Sequence, residues 1–324
     1  MGILPPDMTV LPPCDDRVFK LLLTSPEAIP TLRFVSSALI HRPVQRVLVR
    51  NNELPVADTE EKAQRFDVNC LIDDDTQTDI EMQSSRMEEK PGSDHANIKA
   101  RSIYYVCDLH SSQKAKGKPY HELARTYQVM FCGYTVFPKR MNYINTFSMR
   151  HDEDNELFLD SIRVVYIELS KLERVLQIPV EQMTDMERFS VFLRYAGEPD
   201  CREIVNKVLA SKEELAVAGD LLMGISKDER ERAIFRSRLM YQNDLESNLA
   251  TAKSVGRDEG IAEGITQGLA QGLTQGIAQG ITQGKAEGLR AVAKGLLNVG
   301  DSIEKIALVT GLSRHEVESI RDAT

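Results

Sequence analysis

Two carboxylates and an amide sit inside a stretch otherwise suited to sheet. The segment "RFDVNCLIDDDTQTDIEMQS" (65–84) reads as two apolar-rich strands joined by the polar turn "DDDTQ" (73–77), yet it carries Asp67, Glu81 and Gln83. Side chains alternate faces along a strand, and directly opposed residues of an antiparallel pair share a face. A turn centred near Asp75 predicts Asp67 opposite Gln83 and diagonal to Glu81, so the three polar groups converge. A slip of one residue would separate them. Val68, Leu71 or Ile72, Ile80 and Met82 are left to supply the core. Paired carboxylates in a half-buried site repel, and each is costly to desolvate. A divalent cation relieves both problems, and oxygen donors without His or Cys suit Mg2+, with Mn2+ the alternative, rather than zinc. Such an ion can activate water and neutralise charge on a phosphodiester. The competing reading puts Asp67 and Glu81 on the exposed face of an edge hairpin, where they only solvate it. The spacing by itself does not separate the two.

The surrounding elements must position these groups. "CDDRVFKLLLT" (14–24) is a helix start, with Asp15 or Asp16 as cap and Val18, Phe19, Leu22 and Leu23 as its apolar face. A second helix is expected over 26–40, opened by Pro26, and "VQRVLVR" (44–50) alternates as a strand. Residues 95–111 place Ile98, Ile103, Val106 and Leu109 at helical spacing beside Arg101, Tyr105 and Asp108. "ARTYQVMFCGYTVF" (124–137) is a buried strand in which Gln128 reads as satisfied packing, and two more strands are expected at 143–149 and 162–169.

Several ordered blocks, "DDRVFKLLL", "RFDVNCLIDDDTQTDIEMQSS", "RSIYYVCDLH" and "GKPYHELARTYQVMFCGYTVF", resemble the transposase-like branch of the PD-(D/E)XK nuclease superfamily, also called recombination-promoting nucleases. The resemblance covers about residues 14–170 and continues loosely into the helical region. It implies an α/β fold, a mixed sheet flanked by helices, with an α-helical C-terminal extension. It also implies a Mg2+-dependent endonuclease acting on DNA. Asp67 matches the motif aspartate, Glu81 the acidic residue of the (D/E)XK element, and the Met82 carbonyl the usual extra metal ligand. Gln83 stands where lysine is typical, as is normal for this branch; an amide can orient water but carries no charge. Asp16 and Lys20 match the opening "D..FK" block. Lys20 would either replace the missing lysine or serve packing or substrate contact. Arg101, Tyr104 and Tyr105 match "R..YY"; Arg101 is a candidate phosphate contact, and one tyrosine is expected in the core. One departure is the segment 85–101, which is polar and irregular between the ExQ element and the helix.

From about 170 to 250 the pattern is helical and charged. Glycine then recurs at every fourth position from Gly256 to Gly288, mostly followed by an apolar residue. That period overshoots the helical turn by about 40° per repeat. Glycine costs roughly 0.8–1 kcal/mol at each helical position relative to alanine. The segment reads either as a flexible linker or as a right-handed helical oligomerisation segment. Residues 289–322 recover a helix-turn-helix spacing at Ala307, Gly311, Val317 and Ile320, with Ser313 and Glu316 forming a capping box. Balanced charge in "RHEVESIR" favours a structural hairpin over a DNA reader. The expected organisation is therefore a nuclease-like core at 14–170, a helical extension at 171–250, a linker or oligomerisation segment at 251–288 and a helical hairpin at 289–324.

Composition narrows the classes further. The chain has 324 residues, 42 % of them hydrophobic, and no stretch approaches a membrane span. Its N-terminus lacks the features of a secretory signal. Five scattered cysteines (Cys14, Cys70, Cys107, Cys132 and Cys201), none in a CxxC, argue against a disulfide framework or a structural zinc and suggest a reduced, cytoplasmic setting. The net charge of −9 does not itself advertise nucleic acid. The charge is uneven, however: residues 84–140 hold ten Lys/Arg against five Asp/Glu. The expected function is DNA endonuclease chemistry promoting breakage and recombination, by a homo-oligomer with no membrane association. The alternative is a non-catalytic relative that binds DNA or assembles partners.

Overall fold

The fold is taken from a computed structural model, which describes residues 3–50, 67–73, 75–84, 95–113 and 119–323. The chain divides into two compact units, Met1–Arg238 and Leu239–Thr324.

In the first unit, helix α1 (Asp16–Thr24) starts at Asp15, whose side chain accepts from the Arg17 and Val18 amides. Asp16 is thereby free of capping duty. A short 3-10 turn (Pro26–Ala28) leads into α2 (Ile29–Ile40). The sheet strands are β1 (Val47–Val49), β2 (Val68–Ile72), β3 (Thr76–Gln83), β4 (Arg125–Cys132), β5 (Ile144–Ser148) and β6 (Ile162–Glu168). Their spatial order is β1-β2-β3-β4-β6-β5. Strands β3, β4 and β6 run parallel, and the outer pairings are antiparallel. This is a mixed α/β architecture, with α3 (Ala96–Ser111) crossing from β3 to β4.

The central strands are covered on both faces, which explains their near-continuous burial. On one face Val68, Cys70, Ile72, Ile80, Met82, Val129, Phe131, Val165 and Ile167 form the main core with Phe19, Leu22, Leu32, Val35, Phe189 and Phe192. That core also takes in Val205, Val208, Leu215 and Leu222 from α5 (Arg202–Ala210) and α6 (Glu213–Lys227), while α4 (Asp185–Tyr195) brings the two phenylalanines. The helices beyond residue 170 thus close the same core as the sheet. The opposite face is smaller, built from Ile98, Val106, Met130, Cys132, Val164 and Tyr166 under α3.

Two sequence expectations need correction. The helical stripe of α3 is Ile98, Ser102, Val106 and Leu109, whereas Ile103 is exposed because its position rotates off that stripe. Neither Tyr104 nor Tyr105 joins the core: Tyr104 is exposed and Tyr105 half-buried.

Helix α7 runs Glu229–Asn298, so the glycine repeat is helical. In the second unit α8 (Ile303–Thr310) ends at Gly311, whose φ of 71° suits a residue without Cβ. Helix α9 (Arg314–Asp322) opens with the Ser313–Glu316 capping box. Ala293, Ile306 and Val317 are the buried centre of this small cluster, with Ala307 and Ile320 partly buried around it.

Candidate active site

The strand register decides which polar groups meet. Val68 pairs with Ile80 and Asn69 with Asp79, so the turn lies one residue earlier than its acidic run suggested. Continuing that register by one step sets Asp67 against Glu81 rather than against Gln83. The displacement along β3 is two residues, and an even shift leaves every side chain on its face. Asp67, Asp79, Glu81 and Gln83 therefore still share the face that α3 covers, while Val68, Ile80 and Met82 go to the main core. Leu71 belongs to the site face and Ile72 to the core. The turn acids do turn work: Asp73 sits at φ 48° and accepts from the Gln45 and Arg46 amides, and Arg42 pairs with Asp73 and Asp75.

Asp67 Oδ2 accepts from the Met82 amide at 3.1 Å, which ties the strand entrance to the end of β3. The Met82 carbonyl accepts from Gln83 Nε2 at 3.0 Å, leaving the amide oxygen of Gln83 facing outward from that bond. Glu81 is only 4 % exposed and lies 3.5 Å from Arg101 Nη2. Arg101 also lies over the Tyr105 ring, 5.7 Å from its centroid. On α1, Asp16 accepts from Ser84 Oγ at 3.1 Å and pairs with Arg238 at 3.4 Å. The Lys20 charge acts on Asp67 from the same helix.

The electrostatics are those of crowded acids. Burial pushes the Glu81 carboxyl up to about 7, with Asp67 and Asp16 adding to the rise and Arg101 opposing it. Asp67 is raised by burial and by Asp16, against the pull of the Met82 amide, Lys20 and Arg101. Asp16 is raised as well, chiefly by desolvation.

Asp79 escaped the reading of the sequence. It is fully buried one side-chain repeat before Glu81, and Gln128 Nε2 donates to its Oδ2 at 2.7 Å. Its Oδ1 finds no N–H or O–H donor among the described residues. The neighbour left to it is the Glu81 carboxyl, and two carboxyls bond only through a proton that one carries. Burial and the Glu81 charge accordingly push Asp79 far above the ordinary carboxylate range. The signal was present in the alternation of "DIE", in which Asp79 shares a face with Glu81. Gln128 is thus more than inert packing, because it holds Asp79 in place.

Among the described residues no group of three or more His, Cys, Asp or Glu side chains is arranged to hold a metal ion. The donor set that does converge is two carboxylates with an adjacent peptide carbonyl. These are hard oxygen donors, the chemistry that Mg2+ or Mn2+ takes, and burial together with the neighbouring acids holds both carboxyls above their ordinary titration range. Part of the basic stretch at 84–140, namely 85–94 and 114–118, lies outside the described residues. No helix among the described residues is long and apolar enough to cross a membrane.

Comparison with known proteins gives one result. Residues 13–252 match the family model described as "PD-(D/E)XK nuclease family transposase". No curated protein and no solved structure matches the chain.

Proposed function

The chain belongs to the PD-(D/E)XK nuclease family, and from that premise we propose that it is a divalent-metal-dependent endonuclease hydrolysing phosphodiester bonds of DNA. The observation that carries the reading is the convergence of Asp67 and Glu81 on one face, both titrating above the ordinary carboxylate range, beside the Met82 carbonyl. Asp67, Glu81 and that carbonyl would hold the metal, Mg2+ in the first instance. A bound divalent ion supplies a lowered water pKa and neutralises charge on the phosphoryl oxygens.

The chain's own groups do the rest. Gln83 spends its amide N–H on the Met82 carbonyl and keeps its oxygen as an acceptor able to orient a water. Arg101 and Lys20 supply positive charge for the scissile phosphate. Asp16, fixed by Ser84 and Arg238, borders the substrate path, and Tyr105 buttresses Arg101. We place this activity on DNA in the cytoplasm, in breakage that promotes recombination. Cutting both strands calls for two such sites and hence for an oligomer.

The test is cleavage of supercoiled plasmid in Mg2+ by wild type, Glu81→Ala and Asp67→Ala, with a metal-free control. Nicking by wild type alone supports the reading. DNA binding without cleavage by the folded wild type, in Mg2+ and in Mn2+, replaces it with a non-catalytic DNA-binding role.

A further inference from the structure

Nine glycines, Gly256 to Gly288 at every fourth position, lie within one helix. A Cβ added at any of them would meet nothing within 4 Å. No close approach inside the chain therefore accounts for the glycines, although each weakens a helix. The residues after the glycines form a second row: Ile261, Ile265, Leu269, Leu273, Ile277 and Ile281 are each more than half exposed. A third row alternates Ala and Thr (Ala262, Thr266, Ala270, Thr274, Ala278, Thr282), and a fourth is glutamine from Gln267 to Gln283. From 264 to 284 there is no charged side chain at all. A solvated helix is normally charged on its open face, whereas interface cores are depleted of charge. An isolated helix of this composition lacks both the propensity and the packing that sustain helices in water.

We propose that residues 256–288 pair with the same segment of a second copy of this chain, the glycine and apolar rows of each helix facing the other. The occupant follows from the period. A row recurring every four residues advances about 40° per repeat around a straight helix, so it stays at one interface only if the two helices coil right-handedly about each other. A partner helix keeps in step along such a path only if it carries the same four-residue period, and a second copy does. The glycine row provides the depression into which the partner's Ile and Leu side chains fit. The missing charge points the same way: a charged partner would find nothing to pair with, while glutamine offers both donor and acceptor to another glutamine. Six Ile or Leu side chains per copy, each more than half exposed, bring the buried area to roughly 1,000 Å2, the threshold for a specific interface.

The pairing is independent of nuclease activity and is tested on the full chain by sedimentation equilibrium and far-UV circular dichroism across a hundredfold dilution. Wild type is expected at twice the 36.4 kDa chain mass, with helicity falling as dilution separates the pair. The double variant Leu269→Lys/Leu273→Lys puts charge into the facing row and is expected to weaken pairing at least a hundredfold, giving monomer mass. Thr266→Lys/Thr274→Lys puts the same charge on the far side of the helix and is expected to leave the mass at two chains. A monomeric wild type, a mass above two chains, a paired Leu269→Lys/Leu273→Lys variant or a monomeric Thr266→Lys/Thr274→Lys variant each overturns the proposal.

Discussion

Glu81→Gln separates the stability of the fold from the purpose of the site. In the native fold the Glu81 carboxyl titrates at about 7 instead of the ordinary 4.5, because burial and the charges of Asp67 and Asp16 outweigh the attraction of Arg101. The folded chain therefore holds a proton that the unfolded chain has already released. Stability contributed by the protonated form is complete below pH 4.5 and is lost as pH rises towards 7. The size follows from the width of that window: at ~1.36 kcal/mol per pH unit it is about 3 kcal/mol. The Arg101 attraction is already inside this net value. Glutamine keeps the shape of the neutral acid and has no proton to lose. Without metal, Glu81→Gln is expected to match wild type at pH 4.5 and to exceed it by about 3 kcal/mol at pH 8, a rise in Tm of roughly 6–12 °C for a unit of this size. Urea and thermal unfolding in chelator, followed by far-UV circular dichroism at both pH values, measure this. Added Mg2+ is expected to stabilise wild type at pH 8 and to leave the variant unchanged. An offset equal at both pH values, or a variant weaker than wild type at pH 8, would refute the electrostatic account.

Asp79 and Gly133 carry two further tests by denaturant unfolding. Asp79→Asn mimics the neutral acid and is expected within about 1 kcal/mol of wild type, whereas Asp79→Ala leaves the buried Gln128 amide without its acceptor and is expected to cost about 1–3 kcal/mol. Equal damage from both changes would mean that the hydrogen bond is not what matters there. A Cβ on Gly133 would lie 2.6 Å from the Ser84 carbonyl oxygen, so Gly133→Ala must push β3 and β4 apart and is expected to cost about 1–3 kcal/mol. A variant as stable as wild type would show that the strand ends separate freely.

Whatever depends on neighbours along the chain was legible in the amino-acid order. The apolar face of α1, the alternation of β2 and β3, the turn chemistry of Asp73 and the Ser313–Glu316 capping box are local consequences of spacing and side-chain type. That Asp67, Glu81 and Gln83 share a face was legible for the same reason, since a strand fixes its faces whatever its exact pairing, and a turn displaced by one residue leaves them unchanged. The tertiary structure decided the rest. Whether Asp67 and Glu81 met solvent or a covering helix depended on α3 closing over that face, which no local pattern encodes. That cover pushed the carboxyls above their ordinary titration range, brought Arg101 to Glu81, and made Asp79 a buried acid held by Gln128 from a parallel strand 49 positions away. The pairing of Arg238 with Asp16 likewise joins residues 222 positions apart. Burial and charge proximity are properties of the assembled fold, because desolvation depends on every element packed against a group and not on the residues beside it in the chain.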